Sequence, residues 1–245
     1  MSTTKKGPAL SDRLAAIASM VAPGKPLIDI GTDHAYIPVK LCAEGTIPSA
    51  VAADINAGPL AKAEANIFVS GLAGSVKPVL SDGFEDIEVK GGESAVIAGM
   101  GGPTIMGIIE RGGEKVMKLS ELILEPQSRE NDVRVFLVRN GFSITDETMV
   151  SEDGKYYFIM KAVYTGEKTE LSDVEAFYGP CLLADRNPVL LRFLEKQLEE
   201  LHIIEDRVLD AVGVMGMGET REMALVGIMG SARLIQEALQ YYIKD

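Results

Sequence analysis

The residues of this chain best suited to chemistry are the carboxylates and glycines that end its apolar runs. Leu27 to Pro38 reads LIDIGTDHAYIP. An apolar strand there delivers Asp29 and Gly31, then turns through Thr32, Asp33 and His34 towards a helix. Two carboxylates, a glycine that exposes its backbone and one of only two histidines thus share one strand end. In an open α/β sheet, ligands bind outside the carboxyl ends of strands, where the strand order reverses. Twenty-five residues after Asp29, Asp54 ends a second apolar run with Ile55 beside it. A carboxylate there accepts both hydroxyl protons of a ribose. Asp82-Gly83 follows a third run, placed for an adenine amino group. Ala98-Gly99-Met100-Gly101-Gly102 ends a fourth, where the reactive end of a nucleotide cofactor is expected. A lone glycine after a strand is usually a turn; four acidic or glycine-rich strand ends in succession are a pattern.

The spacing discriminates between cofactors. A dinucleotide fingerprint needs G-x-G-x-x-G, so that a pyrophosphate can sit over a helix N-terminus. After Gly31 the second glycine position is held by Asp33, and Ala35 follows where the turn enters the helix. A carboxylate repels a diphosphate but accommodates the amino-acid end of S-adenosylmethionine, which carries no phosphate. The expected cofactor is therefore S-adenosylmethionine, held by Asp29, Gly31, His34, Asp54, Ile55, Asp82, Gly83, Gly99, Met100 and Gly101.

These strand ends need a sheet to hold them. Strand and helix patterns alternate over about two-thirds of the chain, as a parallel sheet with crossover helices requires. Strands are predicted over 26–30, 50–55, 76–80, 94–98 and 121–124. Helices are predicted after Ser11, from about Ala35, over 59–70, after Gly101-Gly102, and from Ser128 as a cap to Arg139. Then the pattern changes: 142–150 and 155–163 read as strands around Ser151-Glu152-Asp153-Gly154, an Asp-Gly hairpin signal. A βα series closed by such a hairpin predicts a Rossmann-like, seven-stranded sheet with an antiparallel last strand, the class I methyltransferase arrangement, over residues 9–165. Beyond it, Asn187 and Pro188 open a helix with apolar residues at steps of three and four from Leu191 to Val212, the stripe being interrupted at Glu205. After a Gly- and Met-containing break with Met215 and Met217, a second stripe runs from Leu225 to Tyr242. These predict an antiparallel, coiled-coil-like helical hairpin within 166–245.

Composition sets the outer bounds. The chain has 245 residues, 47% of them apolar, enough for one ordinary domain and an appendage. Two cysteines point to a reducing compartment, and no membrane span or signal peptide is evident. A cytoplasmic protein is expected, as a monomer and without a metal. The net charge of −12 argues mildly against non-specific phosphate binding. Lys5, Lys6, Arg13 and Lys25 form a local exception, and the polar tail to Pro8 is expected to be loose. From Gly166 onward 15 acidic residues face 8 basic ones, so charge does not mark the hairpin as a nucleic-acid arm.

SDRL at Ser11 to Leu14, DIGTDHAYIP at Asp29 to Pro38, IAGMGG at Ile97 to Gly102, EPQ at Glu125 to Gln127 and the EDGKYY hairpin together resemble the bacterial tRNA adenine-N1 methyltransferase family TrmK. The resemblance extends over nearly the whole chain. It implies methyl transfer from S-adenosylmethionine to N1 of adenine 22 in tRNA, by a Rossmann-like domain with a C-terminal coiled-coil domain. Attack by the N1 lone pair needs alignment more than deprotonation. A carboxylate that accepts a hydrogen bond from N6 would stabilise the developing charge, and Asp33 is the candidate. Asp33 could equally bind the cofactor's amino group or cap the following helix. Substrate contacts are expected from Arg13 (phosphate, or the cofactor carboxylate), Tyr36 as a stacking ring, Gly102 and Gln127. No aromatic follows strand four, so Met100 is an alternative partner for a flipped base. His202 is expected to be surface or packing. Two other readings stay open: a methyltransferase acting on a non-RNA substrate, and a non-catalytic cofactor-binding partner protein.

Overall fold

The computed structural model describes residues 7–215 and 218–243. It divides into two compact units, the boundary falling between Glu170 and Leu171. Lys5 and Lys6, most of the N-terminal tail, Met217 and the side chain of Met215 lie outside what is described.

The first unit is built on seven strands. They are β1 (Leu27–Ile30), β2 (Ala50–Asp54), β3 (Val76–Leu80), β4 (Ser94–Met100), β5 (Glu121–Pro126), β6 (Phe142–Glu152) and β7 (Lys155–Tyr164). Their order is β3-β2-β1-β4-β5-β7-β6. The first five pair in parallel, while β7 runs antiparallel between β5 and β6. This is the expected Rossmann-like class. The β6–β7 turn is tighter than the sequence suggested: Glu152 pairs with Lys155, leaving Asp153 and Gly154 as a two-residue loop with φ of 50° and 75°. Both residues adopt the left-handed backbone that the hairpin turn favoured by strand twist demands.

Helices cover both faces. α1 (Asp12–Met20), α2 (Tyr36–Ala43) and α3 (Ala57–Val69) are joined by α4 (Gly102–Gly112), α5 (Glu114–Met117) and α6 (Glu130–Arg139). Successive strand residues point to opposite faces, and the core divides accordingly. Leu27, Val96 and Ile123 pack with Ile17, Val39 and Ile67, while Ile28, Ile97 and Leu122 pack with Ile105, Ile109 and Leu137. Burial on both faces is why β1 and β5 are buried from end to end. Ser11 caps α1 by accepting the Leu14 amide, as the sequence indicates. Ser128 does not cap α6. Arg129 takes that position in a left-handed conformation with no side-chain cap, so Glu130 and Asp132 in the first turn oppose the helix dipole instead.

The second unit comprises α7 (Asp173–Tyr178), α8 (Pro180–Ala184), α9 (Pro188–Met215) and α10 (Glu219–Ile243). Asn187 Oδ1 caps α9 by accepting the Val189 and Leu190 amides at 2.9 and 3.2 Å. α9 continues through Glu205 without a break. The Tyr242 hydroxyl donates to the Asn187 carbonyl at 2.8 Å, which ties the end of α10 to the start of α9 and fixes an antiparallel pair. The striped positions Leu194, Ile228 and Ile235 are buried, whereas Met223, Val226 and Met229 between them are exposed. His202 is exposed. No described helix is long and apolar enough to cross a membrane.

Candidate active site

A strand order of 3-2-1-4-5 reverses between β1 and β4, and a cleft of about 400 Å³ opens outside their carboxyl ends. Asp29, Gly31, Asp33, His34, Tyr36, Gly99 and Arg13 all line it. The fold therefore brings together residues from β1, the turn after it, the end of β4 and the first turn of α1.

The floor is set by backbone. Gly31 and Thr32 donate their amides to the Ala53 carbonyl at 2.8 and 2.9 Å, which curls the chain sharply at the end of β1. Gly31 has φ of 75°, and a Cβ there would stand 2.1 Å from the Met100 methyl. The left-handed conformation is what requires glycine here; the Met100 methyl is the end of a flexible side chain and would turn aside. Asp29 is buried, and its Oδ2 accepts the Thr32 hydroxyl at 2.6 Å. Burial pushes its carboxyl up to about 6, the Thr32 hydrogen bond opposes this, and the nearby Asp54 charge adds to it. Asp54 is also buried, with Oδ1 accepting the Asn56 amide at 2.8 Å and so shaping the turn into α3.

The rim is strained. Asp33 and Ala35 adopt φ of 43° and 55°, left-handed values for residues that are not glycine. Such backbone is maintained only where surrounding contacts over-determine it, and it concentrates at functional sites. Here the Asn66 side-chain amide donates to the His34 carbonyl at 3.0 Å, anchoring the turn from α3. Ala35, not Asp33, is the residue that precedes α2, and no side chain caps that helix. Asp33 is therefore free of the capping role; its exposed carboxylate lies 3.4 Å from His34 Nε2. The His34 and Tyr36 rings stack with centroids 5.1 Å apart and planes 6° from parallel, and Tyr36 remains 39% exposed.

Other sequence-derived candidates lie beyond this lining. Ile55 is 59% exposed at the end of β2. Asp82 lies beside a neighbouring depression and pairs with Arg111 at 2.9 Å. Gly83 and Gly102 serve close packing: a Cβ on Gly83 would meet Ile108 at 3.0 Å, and one on Gly102 the Ser128 carbonyl at 2.6 Å. Gly101 caps α4. Gln127 donates its side-chain amide to Glu125 and its backbone amide to the Met100 carbonyl.

Residues that sequence reasoning did not single out complete the arrangement. Thr32 and Asn66 fix the turn. Glu125, wholly buried on β5, accepts Arg13 Nη1 at 3.0 Å. The Arg13 guanidinium lies 5.3 Å from the centre of the Tyr157 ring, and its amide donates to Glu152 at 3.1 Å. Glu125 and Tyr157 sit in the EPQ and EDGKYY segments, but their burial and partners depend on tertiary pairing. Among the described residues, no group of three or more His, Cys, Asp or Glu side chains is placed to hold a metal.

Known proteins resemble this chain over nearly its whole length. A model of the family tRNA (adenine(22)-N(1))-methyltransferase, TrmK, matches residues 27–224. The tRNA (adenine(22)-N(1))-methyltransferase of Bacillus subtilis is 28% identical over 243 residues, covering 95% of this chain and 98% of its own. The structure of Streptococcus pneumoniae Sp1610 in complex with S-adenosyl-L-methionine superposes with a TM-score of 0.80 at 32% identity, over 94% of this chain and 100% of that one. The structure of M. capricolum TrmK in complex with S-adenosyl-homocysteine superposes with a TM-score of 0.78 at 25% identity, over 95% of this chain and 98% of that one.

Proposed function

The chain belongs to the tRNA (adenine(22)-N(1))-methyltransferase family TrmK, and from that premise we propose that it transfers a methyl group from S-adenosylmethionine to N1 of adenine 22 in tRNA. The observation that carries this reading is the cleft at the β1/β4 reversal, with a buried carboxylate and glycine floor and an acidic, aromatic rim. The cofactor is a sulfonium with a charged amino group, and Asp29, Asp33 and Asp54 supply the negative potential that such a cation needs.

Gly31, Gly99, Met100 and Gly101 form the backbone floor on which the methionine end rests. Asp54 accepts the ribose hydroxyls. Ile55 covers one adenine face of the cofactor, and Asp82, sharing its carboxylate with Arg111, accepts the adenine amino group at the edge shaped by Gly83. The target base enters over the rim, stacking on the His34–Tyr36 pair or on Met100. Arg13 meets a phosphate, while Gly102 and Gln127 bound the base pocket through backbone.

The N1 lone pair attacks the methyl carbon as the carbon–sulfur bond breaks, and its electrons return to sulfur to give S-adenosylhomocysteine. Positive charge develops on the ring and spreads to N6. Asp33 accepts the N6 hydrogen bond and stabilises that charge, a contribution worth about 2.7–4 kcal/mol for a preorganised group of this kind. It stands at the exposed rim of the cleft, 3.4 Å from His34 Nε2.

Cys42 and Cys181 are both half-buried thiols, which supports a reducing, cytoplasmic setting. Incubation with unmodified tRNA and the cofactor, followed by nucleoside mass spectrometry, tests the reading. N1-methyladenosine is the expected product; label in another nucleoside, or in no RNA, contradicts it.

A further inference from the structure

Behind the cleft, one buried carboxylate ties its two sides together. Glu125 lies on β5 with its side chain fully excluded from solvent, a position that is costly unless the charge is paired and hydrogen-bonded. Three donors converge on it. Arg13 Nη1 at 3.0 Å and the Gly99 amide at 2.8 Å meet on Oε2, and the Gln127 side-chain amide meets Oε1. The donors come from three places: α1, the end of β4 and the segment after β5.

Gly99 is an unusual donor. Ala98 pairs with Glu125 and Met100 with Pro126, so Gly99 is the extra residue of a bulge. Bulges re-aim a strand next to active sites and leave the extra residue outside the ladder. Its amide must find another partner, and Glu125 is that partner. The Gln127 amide holds the Met100 carbonyl at 2.8 Å, so the bulge is gripped on both sides. On the same oxygen Arg13 is fixed at the rim, with its guanidinium over Tyr157.

We propose that Glu125 is a positioning residue for methyl transfer: one carboxylate sets the Gly99–Met100 bulge of the cofactor floor and Arg13 at the rim in register, without itself touching either reactant. The inference rests on the reading of the cleft as a methyltransferase site. Small misplacements in such a register are expensive, about 10²-fold for 1 Å.

The test compares full-length wild type, Glu125→Gln, Arg13→Lys and the double variant. Methyl transfer from labelled S-adenosylmethionine to a tRNA transcript, cofactor Kd and thermal melting are measured for each. Glu125→Gln is expected to lower kcat at least tenfold with cofactor Kd within threefold. The double variant should fall no more than threefold below the poorer single, because both changes break one contact. An unchanged kcat in folded Glu125→Gln, or losses that multiply in the double variant, overturns the inference, since a merely structural ion pair would change melting alone. Should Glu125→Gln not fold, Gln127→Ala removes a donor to the same carboxylate from an exposed position. It is expected to lower kcat at least threefold, and an unchanged kcat overturns the proposal. A wild type that transfers no methyl group refutes the parent reading and this inference together; an active wild type with indifferent variants refutes this inference alone.

Discussion

Asp29 in β1 and Asp33 in the turn that follows lie four residues apart yet are suited to opposite tasks by their surroundings. Between pH 3.8 and about 6, folded Asp29 carries a proton that the unfolded chain has released. Its contribution to stability therefore falls as pH rises through that window and stays lost above it, a cost of roughly 3 kcal/mol at neutral pH. Asp29→Asn should accordingly melt a few degrees higher than wild type at pH 7.5 while binding the cofactor more weakly. Because the cofactor is a cation, wild-type Kd should rise as pH falls below about 6, by up to about tenfold per unit, and the variant should show no such rise. Calorimetry from pH 5 to 7.5 measures both; a flat wild-type Kd would remove the Asp29 charge from binding. Asp33, exposed at the rim, should behave differently. Asp33→Ala is expected to lower kcat about 10²-fold with cofactor affinity at least partly kept, Asp29 and Asp54 remaining, and unchanged single-turnover rates would end its catalytic assignment. Both aspartates were legible in the sequence, because a strand end announces itself locally. Glu125 was not marked as a site residue, because its partner Arg13 lies far away in the chain and identifies it only once the tertiary fold has formed; Thr32, whose hydroxyl bonds Asp29 three residues earlier, was read only as part of the turn.

At the scale of elements, the hydrophobic rhythm located every strand of the sheet and all the long helices, since burial on one or two faces is written directly into period. Turn chemistry was read less fully. Ser128 looked like a cap, but the Gly102 amide takes its carbonyl and Arg129 assumes the left-handed position. The close approach of α4 to that loop is a tertiary demand that a local motif does not reveal. The short helices α5, α7 and α8 went unread because they are too brief to show a period, although Ser172 and Glu175 form a capping box at the start of α7. α6 and β6 are joined by an ion pair the sequence does not mark: Arg134 and Glu147 are both buried and meet at 2.7 Å. Arg134→Met leaves that carboxylate without its guanidinium and should cost about 3–5 kcal/mol. Urea denaturation checks the loss. The turnover of the folded fraction should be unchanged, because the pair lies apart from the cleft residues; a stability equal to wild type would mean the pair contributes nothing net.

For the whole molecule, the strand order explains why one short segment carries so much chemistry. β1 is an inner strand, its neighbours run parallel, and the reversal beside it opens a cleft lined by residues between Asp29 and Tyr36. The expected cofactor follows from that segment: Asp33 stands where a dinucleotide fingerprint has its second glycine, and a carboxylate there repels a pyrophosphate but suits a sulfonium. The family's relation to tRNA and to adenine 22 has no such local signature, and a net charge of −12 points away from nucleic acid. Only the resemblance of DIGTDHAYIP and IAGMGG, and then the match over residues 27–224, reach that far. The most direct measurement is therefore methyl incorporation from labelled S-adenosylmethionine into two tRNA transcripts, one intact and one with adenine 22 replaced by guanine. Incorporation approaching one methyl group per intact transcript, and none in the replaced one, is the expected result. Equal labelling of both transcripts, or of neither, would contradict the assignment.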